Sequence, residues 1–240
     1  MQRYFVQIDK GKVTFTDDDI FHISRVMRLK QGELIEVVDQ NHQLFIAEIT
    51  TVKPFKADIK QFLEANTELR SHITLYYVIS KGEKTDLVIQ KATELGVKSI
   101  VLLHSKRSVV KFEKDKYESK IQRYIKIAKE AAEQSRRLMI PSISIEAELS
   151  AIKSDRASLK IIADEDDAGT TEKLYNLLDK TQISDPLSLL VGSEGGFERS
   201  EVAMANACGF ISIGLGKRIL RSETAAIHLV GVVASYLERK

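Results

Sequence analysis

The pattern of apolar and polar positions changes near residue 70 of this 240-residue chain. Before that point, short apolar runs predict β-strands at RYFVQI, ELIEVVD, QLFIAEIT and FKADIKQFLEA. Between the first two, TDDDIFHISRVMRL predicts a helix, because Thr16 and Asp19 fit a capping box. Ile20, Ile23 and Met27 then recur at helical spacing. Strands at this density with one helix indicate a small barrel-like domain.

From residue 72 onward, strands and helices alternate. Buried strands are predicted at ITLYYVIS, VKSIVLLHS, LKIIAD, PLSLLVG and FISIG, and helices at 85–95, 114–137, TTEKLYNLLDK, RSEVAMANAC and SETAAIHLVGVVASYLER. Thr85 and Ser222 are expected to cap the first and last of these helices. Alternation of this kind requires crossover connections, so we expect an α/β fold with a mostly parallel sheet. The predicted domains are residues 1–70 and 71–240.

Composition narrows the class of protein. No apolar run reaches the length of a membrane span, and the first residues lack the pattern of a signal peptide. Cys208 is the only cysteine, so an intrachain disulfide is excluded, and one cysteine with five scattered histidines offers no zinc-type cluster. We therefore expect a soluble cytoplasmic protein without a metal.

The charges are unevenly distributed although the net charge is only +2. Residues 104–137 contain eleven Lys and Arg against five acids, whereas residues 146–185 contain ten acids against five cations. This asymmetry indicates a surface for a polyanion. A solvated amphipathic helix with i,i+4 pairs would explain the basic segment equally well.

Glycines cluster after two late strands, in LLVGSEGGFERSE and in GLGKRILRSETA, which begins at Gly214. Neither loop fits a P-loop, a dinucleotide fingerprint or a nucleophile elbow, because Ile211, Ile219 and Val191 occupy positions where those motifs require glycine. Loops at the carboxyl ends of parallel strands nevertheless bind ligands in open α/β sheets. Two such loops therefore predict a ligand pocket.

Several motifs taken together resemble the RsmE family of methyltransferases. They are LLVGSEGGF, LGKRILRSETA, QKATELGV, SKRSVV and EAAEQSRRLMIP in the second domain, and RYFV and HISRVMRLKQGE in the first. The resemblance covers essentially the whole chain. One departure is Ser193, where the family usually has proline.

The resemblance implies a SPOUT-class α/β trefoil-knot domain, preceded by a small PUA-like β-barrel domain that binds RNA. It also implies a homodimer that uses S-adenosyl-L-methionine to methylate N3 of a uridine in 16S ribosomal RNA of the small ribosomal subunit. Leu215, Ile219 and Leu220 are expected to sandwich the adenine. The implied cofactor contacts are Gly192, Glu194, Gly195, Gly196, Ile213, Leu215, Gly216, Ile219, Leu220, Ser222 and Thr224.

Catalysis at N3 requires cations near the uridine oxygens, because deprotonation of N3 places negative charge on O2 and O4. We expect this role for Arg221 first and Arg137 second. Glu223 or Glu194 would orient an arginine or accept the proton, and a structural Arg221–Glu223 ion pair is the alternative. The candidate RNA-binding residues are Arg3, His22, Arg25, Arg28, Lys81 and Arg107.

Two other functions remain open at this stage. A related knotted methyltransferase would modify another RNA position. A non-catalytic RNA-binding assembly factor would have the same basic surface, with glycine loops that only shape the fold. Binding of S-adenosylmethionine separates the enzyme from the non-catalytic factor.

Overall fold

The computed structural model describes residues 1–107, 117–167, 171–182 and 184–239. The chain forms two compact units. The first comprises Met1–Glu68 with Lys129–Ile140, and the second comprises Leu69–Ala128 with Pro141–Lys240. The break after residue 68 lies close to the predicted boundary. The return of residues 129–140 to the first unit differs from the prediction, which assigned them to the second domain.

The first unit is built on a four-stranded sheet. The strands of the unit are β1 (Arg3–Phe5), β2 (Gln7–Asp9), β3 (Lys12–Thr14), β4 (Leu34–Val38), β5 (Leu44–Val52) and β6 (Phe55–Leu63). The sheet has the order β1-β4-β5-β6, and β2 and β3 form a separate hairpin. The described core includes Tyr4, Ile23, Ile35, Val37 and Ile49.

The predicted helix of this unit is present in two parts. The capping box of Thr16 and Asp19 begins α1 (Asp17–Phe21), as predicted. A π-helical turn then continues the chain over His22–Val26.

The second unit contains a six-stranded sheet in which every pairing is parallel. Its strands are β7 (Ile73–Val78), β8 (Ser99–Leu103), β9 (Ser142–Glu146), β10 (Leu159–Ala163), β11 (Leu187–Val191) and β12 (Ile211–Ile213). Their order is β12-β10-β11-β7-β8-β9. Five of these strands are predicted from apolar runs, and β9 is missed because its burial is only partial. The parallel sheet confirms the predicted α/β class.

Five α-helices and one 3₁₀ turn are described after β7. The α-helices are α2 (Lys84–Glu94), α3 (Tyr117–Gln134), α4 (Thr171–Asp179), α5 (Arg199–Ala207) and α6 (Ser222–Glu238), and the turn is Leu149–Ser154. The predicted start of the basic helix at residue 114 lies outside the described residues, as do the cations at 111, 114 and 116. Within the described part of the chain, no helix has the length and apolar content of a membrane span.

Both predicted helix caps of the second unit are wrong. Glu83 occupies the N-cap position of α2, and the Thr85 hydroxyl instead exchanges hydrogen bonds with the backbone of Ser80. Arg221 occupies the N-cap position of α6, so Ser222 is the first helical residue. In each case a buried partner outside the helix binds the hydroxyl, and local sequence does not reveal that partner.

Candidate functional site

A cleft of about 320 Å³ opens at the carboxyl ends of three neighbouring strands, β10, β11 and β12. This is the edge at which open α/β sheets bind ligands. The cleft is lined by Ala163, Asp164, Glu165, Val191, Gly192, Ser193, Glu194, Gly196, Phe197, Arg199, Gly214, Leu215, Gly216, Lys217, Arg218, Ile219, Leu220, Arg221, Ser222 and Ala225. Both predicted glycine loops therefore contribute to one site.

The first glycine loop (192–196) is a tight turn between β11 and α5. The Gly196 N–H donates a hydrogen bond to the Ser193 carbonyl at 3.0 Å, and Gly196 has a φ of +63°. A Cβ on Gly192 would lie 3.1 Å from the Phe197 ring. The positive φ favours glycine at Gly196, and the Phe197 ring leaves little room for a side chain at Gly192.

Ser193 has an unusual environment in this loop. It is buried in the cleft wall, and its hydroxyl is one of three buried side-chain atoms in the described chain without a hydrogen-bond partner. An unpaired buried hydroxyl costs stability. The residue that departs from the family pattern is therefore also an unsatisfied polar group.

The second glycine loop (214–221) connects β12 to α6 and supplies apolar and cationic groups to the cleft. Ile219 is 84% exposed, the highest value among the exposed large apolar residues described. Leu215 and Leu220, in the same loop, are half-buried. Arg221 is exposed at the N-cap of α6, and its side chain makes no capping hydrogen bond. The loop therefore offers an apolar surface and free positive charge together.

A buried hydroxyl cluster lies at the start of α6. The Tyr77 hydroxyl is 2.8 Å from Ser80 Oγ and 3.1 Å from Ser222 Oγ, and the two serine hydroxyls are 3.1 Å apart. Burial raises the pKa of the Tyr77 hydroxyl, so it stays protonated. The cluster fixes the first residue of α6 against the end of β7.

Three charged side chains meet near this cluster. Lys84 Nζ lies 2.9 Å from Glu194 Oε1 and 3.7 Å from Glu223 Oε2. Burial alone would raise the pKa of the Glu194 carboxyl, but its hydrogen bonds and the Lys84 charge outweigh burial and lower that pKa. Glu194 is therefore held ionised and is a weak base.

Acidic residues after β10 form a part of the cleft that the sequence analysis missed. Asp164 accepts two hydrogen bonds from Arg199, at 2.8 and 3.0 Å, and the neighbouring Glu165 also lines the cleft. Burial opposes ionisation of Asp164, but the hydrogen bonds from Arg199 and the Asp166 N–H outweigh it and lower the Asp164 pKa. A signal was present in the sequence, because these acids directly follow the strand segment LKIIA, as the glycines directly follow their strands.

The predicted cofactor contacts are mostly brought together by the fold. Those that line the cleft are Gly192, Glu194, Gly196, Leu215, Gly216, Ile219, Leu220 and Ser222. Ile213, Gly195 and Thr224 are not among its lining residues. A Cβ on Gly195 would lie 3.3 Å from Arg107 Cβ, so that glycine accommodates a neighbouring side chain of the protein rather than the cleft.

Of the predicted catalytic residues, Arg221 lines the cleft and Glu223 contacts Lys84. Arg137 belongs to the first unit, where its buried guanidinium pairs with Glu68 at 2.6 Å. Arg137 is thus engaged in a buried ion pair, which differs from the catalytic role expected for it.

The predicted RNA-binding residues are divided by burial. Arg3 is 4% exposed, pairs with Glu36 at 2.8 Å and donates to two backbone carbonyls, so its guanidinium is engaged inside the first unit. His22 is half-buried, with Nδ1 3.0 Å from the Tyr4 hydroxyl. The exposed candidates are Arg25, Arg28, Lys81 and Arg107. Of these four exposed candidates, Arg107 also donates a hydrogen bond to the Gly195 carbonyl at 3.1 Å.

Comparison with known proteins identifies the family. A model of the RNA methyltransferase PUA domain matches residues 15–60, and a model of the RNA methyltransferase domain matches residues 66–234. A Buchnera aphidicola protein named ribosomal RNA small subunit methyltransferase E is 33% identical over 92% of this chain and 87% of its own. The chain belongs to this methyltransferase family. The resemblance seen in the motifs is thereby confirmed, and the activity is that of an RNA methyltransferase.

Solved structures agree with this assignment. A Legionella pneumophila methyltransferase in complex with the cofactor SAM has a TM-score of 0.88 at 30% identity, covering 97% of this chain and 96% of that one. A Neisseria gonorrhoeae ribosomal RNA small subunit methyltransferase E bound to S-adenosyl methionine has a TM-score of 0.86 at 27% identity, covering 98% and 97%. The predicted fold class is confirmed. The trefoil knot implied by the resemblance stays a prediction.

Proposed function

We propose that this protein transfers a methyl group from S-adenosyl-L-methionine to N3 of a uridine in 16S ribosomal RNA. The observation that carries the proposal is the cleft that the two glycine loops and the end of β10 form together. Family membership supports methylation of ribosomal RNA, and the choice of uridine N3 extends the motif resemblance. We further propose that the protein acts in the cytoplasm as a homodimer.

The residues of the cleft fit the chemistry of this cofactor. S-adenosylmethionine carries an adenine, a carboxylate, an ammonium and a sulfonium. The exposed Ile219 with Leu215 and Leu220 offers an apolar surface for the ring. Glu165 offers negative charge for its cationic groups, and the glycine loops supply backbone N–H groups for its carboxylate.

Arg221 is the cation best placed to act on the base. When bound, S-adenosylmethionine supplies an electrophilic methyl group. The N3 proton of uridine passes to solvent water as N3 becomes the nucleophile, and the negative charge left on the base spreads to O2 and O4. The exposed guanidinium of Arg221 has no ion pair within the described chain and is free to stabilise that charge.

The product identifies the activity directly. Purified protein would be incubated with methyl-labelled S-adenosylmethionine and small ribosomal subunits that lack the modification, and the RNA then digested to nucleosides for mass spectrometry. Labelled N3-methyluridine supports the proposal. A different methylated nucleoside indicates a related enzyme with another target. An absence of S-adenosylmethionine binding in calorimetry indicates a non-catalytic RNA-binding factor.

A substitution at Arg221 separates catalysis from cofactor binding. Arg221→Ala should lower turnover by about 10²-fold or more, as loss of one charge-stabilising donor does, and leave cofactor affinity nearly unchanged. Arg156→Ala, at an exposed arginine outside the cleft lining, is the matched control. Equal losses of turnover and affinity for Arg221→Ala would show that it braces the loop instead.

RNA binding is proposed for the exposed cations. Arg25 and Arg28 belong to the first unit, whereas Lys81 and Arg107 belong to the second. Contacts of such side chains with phosphates give an affinity that falls steeply with salt. Exchange of each for alanine should therefore reduce the salt dependence of RNA affinity as well as the affinity itself.

A further inference from the structure

Helix α2 begins with a positive charge, at the end of a helix where the macrodipole disfavours it. The residue is Lys84, and its charge is explained by two carboxylates from distant parts of the chain. Glu194 belongs to the first glycine loop, and Glu223 lies in the first turn of α6, directly after the second glycine loop. The Lys84 ammonium group thus contacts the first glycine loop and the start of the helix that follows the second.

The distances make the three groups a single electrostatic unit. Lys84 Nζ is 2.9 Å from Glu194 and 3.7 Å from Glu223, so the two carboxylates lie close enough to repel one another. The hydrogen bond to Glu194 raises the Lys84 pKa, so the lysine keeps its charge. The Glu223 side chain is only 13% exposed and accepts a hydrogen bond from Ser222 at 3.3 Å.

The two loops do not depend equally on this lysine. The start of α6 is anchored by the buried hydroxyls of Tyr77, Ser80 and Ser222. Glu194, by contrast, is exposed in its turn, and its carboxylate pairs with Lys84 and also interacts with the Ser80 hydroxyl. Lys84 therefore links the exposed carboxylate of the first loop to the anchored start of α6.

We propose that Lys84 is a positioning residue, which holds the two glycine loops at the separation that the cofactor requires by neutralising Glu194 and Glu223. This inference rests on the proposed function, because it takes S-adenosylmethionine as the ligand of the cleft. Without the lysine, repulsion between the carboxylates drives the first loop away from the second. An exposed lysine–glutamate pair without such a role contributes little.

The test is a set of calorimetric titrations with S-adenosylmethionine. Lys84→Met should weaken binding about tenfold, because the carboxylates of Glu194 and Glu223 then repel one another without a cation between them. Lys84→Arg should restore affinity to within about twofold, since it keeps the charge. Lys91→Met is the matched control, because Lys91 lies on the same helix and pairs with Glu94 at 2.8 Å with similar exposure. That variant should bind as the unaltered protein does.

A double variant distinguishes positioning from a simple loss of stability. Adding Glu223→Gln to Lys84→Met removes one of the two repelling charges and should recover most of the lost affinity. A structural loss predicts the reverse, a further decrease. Hydrogen exchange of the ligand-free proteins gives a second readout: residues 192–196 should exchange faster in Lys84→Met and return to normal in the double variant.

The outcomes separate this inference from the proposed function. If the unaltered protein fails to bind S-adenosylmethionine, the proposed function is refuted. If it binds and Lys84→Met binds equally well with unchanged loop exchange, the positioning role is refuted while the proposed function stands. A double variant that is weaker than Lys84→Met also refutes the positioning role.

Discussion

Replacement of Ile219 by alanine measures how much apolar contact with this side chain contributes to the affinity for S-adenosylmethionine. Ile219 is 84% exposed although it lines the cleft, so it makes few contacts that a substitution would disrupt. We expect Ile219→Ala to leave the melting temperature of the ligand-free protein unchanged within about 1–2 °C. Its effect should appear only when a ligand covers the side chain.

The size of that effect follows from the area that the ligand covers. The substitution removes three carbon atoms, worth about 0.8 kcal/mol each when fully removed from water. A ring that packs on one side of the isoleucine covers about half of this surface, which leaves about 1.2 kcal/mol, or slightly less than tenfold in Kd. The heat-capacity change of binding should also become less negative, because less apolar area is buried.

Calorimetry with S-adenosylmethionine at several temperatures measures both quantities in one series. Leu34→Ala is the control, because Leu34 is also an exposed apolar residue, 46% exposed, but belongs to the first unit. It should change neither the affinity nor the heat capacity. If Ile219→Ala binds with the same affinity and heat capacity as the control, the adenine does not pack on this loop and the reasoning fails.

Two further predictions concern stability. Burial raises the pKa of the Glu133 carboxyl to about 7, although the nearby charge of Lys129 opposes this shift. Above pH 4.5 the unfolded chain releases the Glu133 proton while the folded chain still holds it. Proton binding therefore stabilises the folded state at low pH, and this stabilisation is lost as the pH rises through 7. Glu133→Gln should therefore stabilise the protein by up to about 3 kcal/mol at pH 8 and by almost nothing near pH 4 in urea unfolding, whereas a pH-independent effect would contradict the burial argument. Ser193→Ala should raise the melting temperature by about 2–4 °C, because it removes an unpaired buried hydroxyl. Ser188→Ala is the control and should lower the melting temperature, because the Ser188 hydroxyl donates a 2.6 Å hydrogen bond. A decrease for both variants would show that the Ser193 hydroxyl is paired in solution.

The parallel sheet was predictable because its strands are buried on both faces. Strands of that kind appear as continuous apolar runs, and LSLLV of β11 is buried at every position. The glycine loops were predictable for a related reason, since they follow such runs directly. β9 is exposed at both ends and fully buried only at Ile145, which makes its run SISIE too weak to recognise.

The partners of individual polar residues were not predictable. Ser222 has the position and chemistry of a helix cap, but its hydroxyl binds Tyr77, which lies 145 residues earlier in the chain. Arg3 and Arg137 have the chemistry of surface cations, but each is neutralised by a glutamate that only the folded first unit brings near. Local sequence predicts what a side chain is able to bind, and the fold decides which partner it meets.

The cations ahead of α6 follow the same rule. Lys217, Arg218 and Arg221 lie where a helix N-terminus disfavours positive charge, so helix formation alone does not account for them. All three line a cleft to which Asp164 and Glu165 also contribute, from the end of β10. A cleft with charges of both signs suits S-adenosylmethionine, which carries a carboxylate, an ammonium and a sulfonium group. Under the proposed function, the positive charge that the cofactor does not use is available to the anionic RNA, whose reacting base would become negative as it loses its proton.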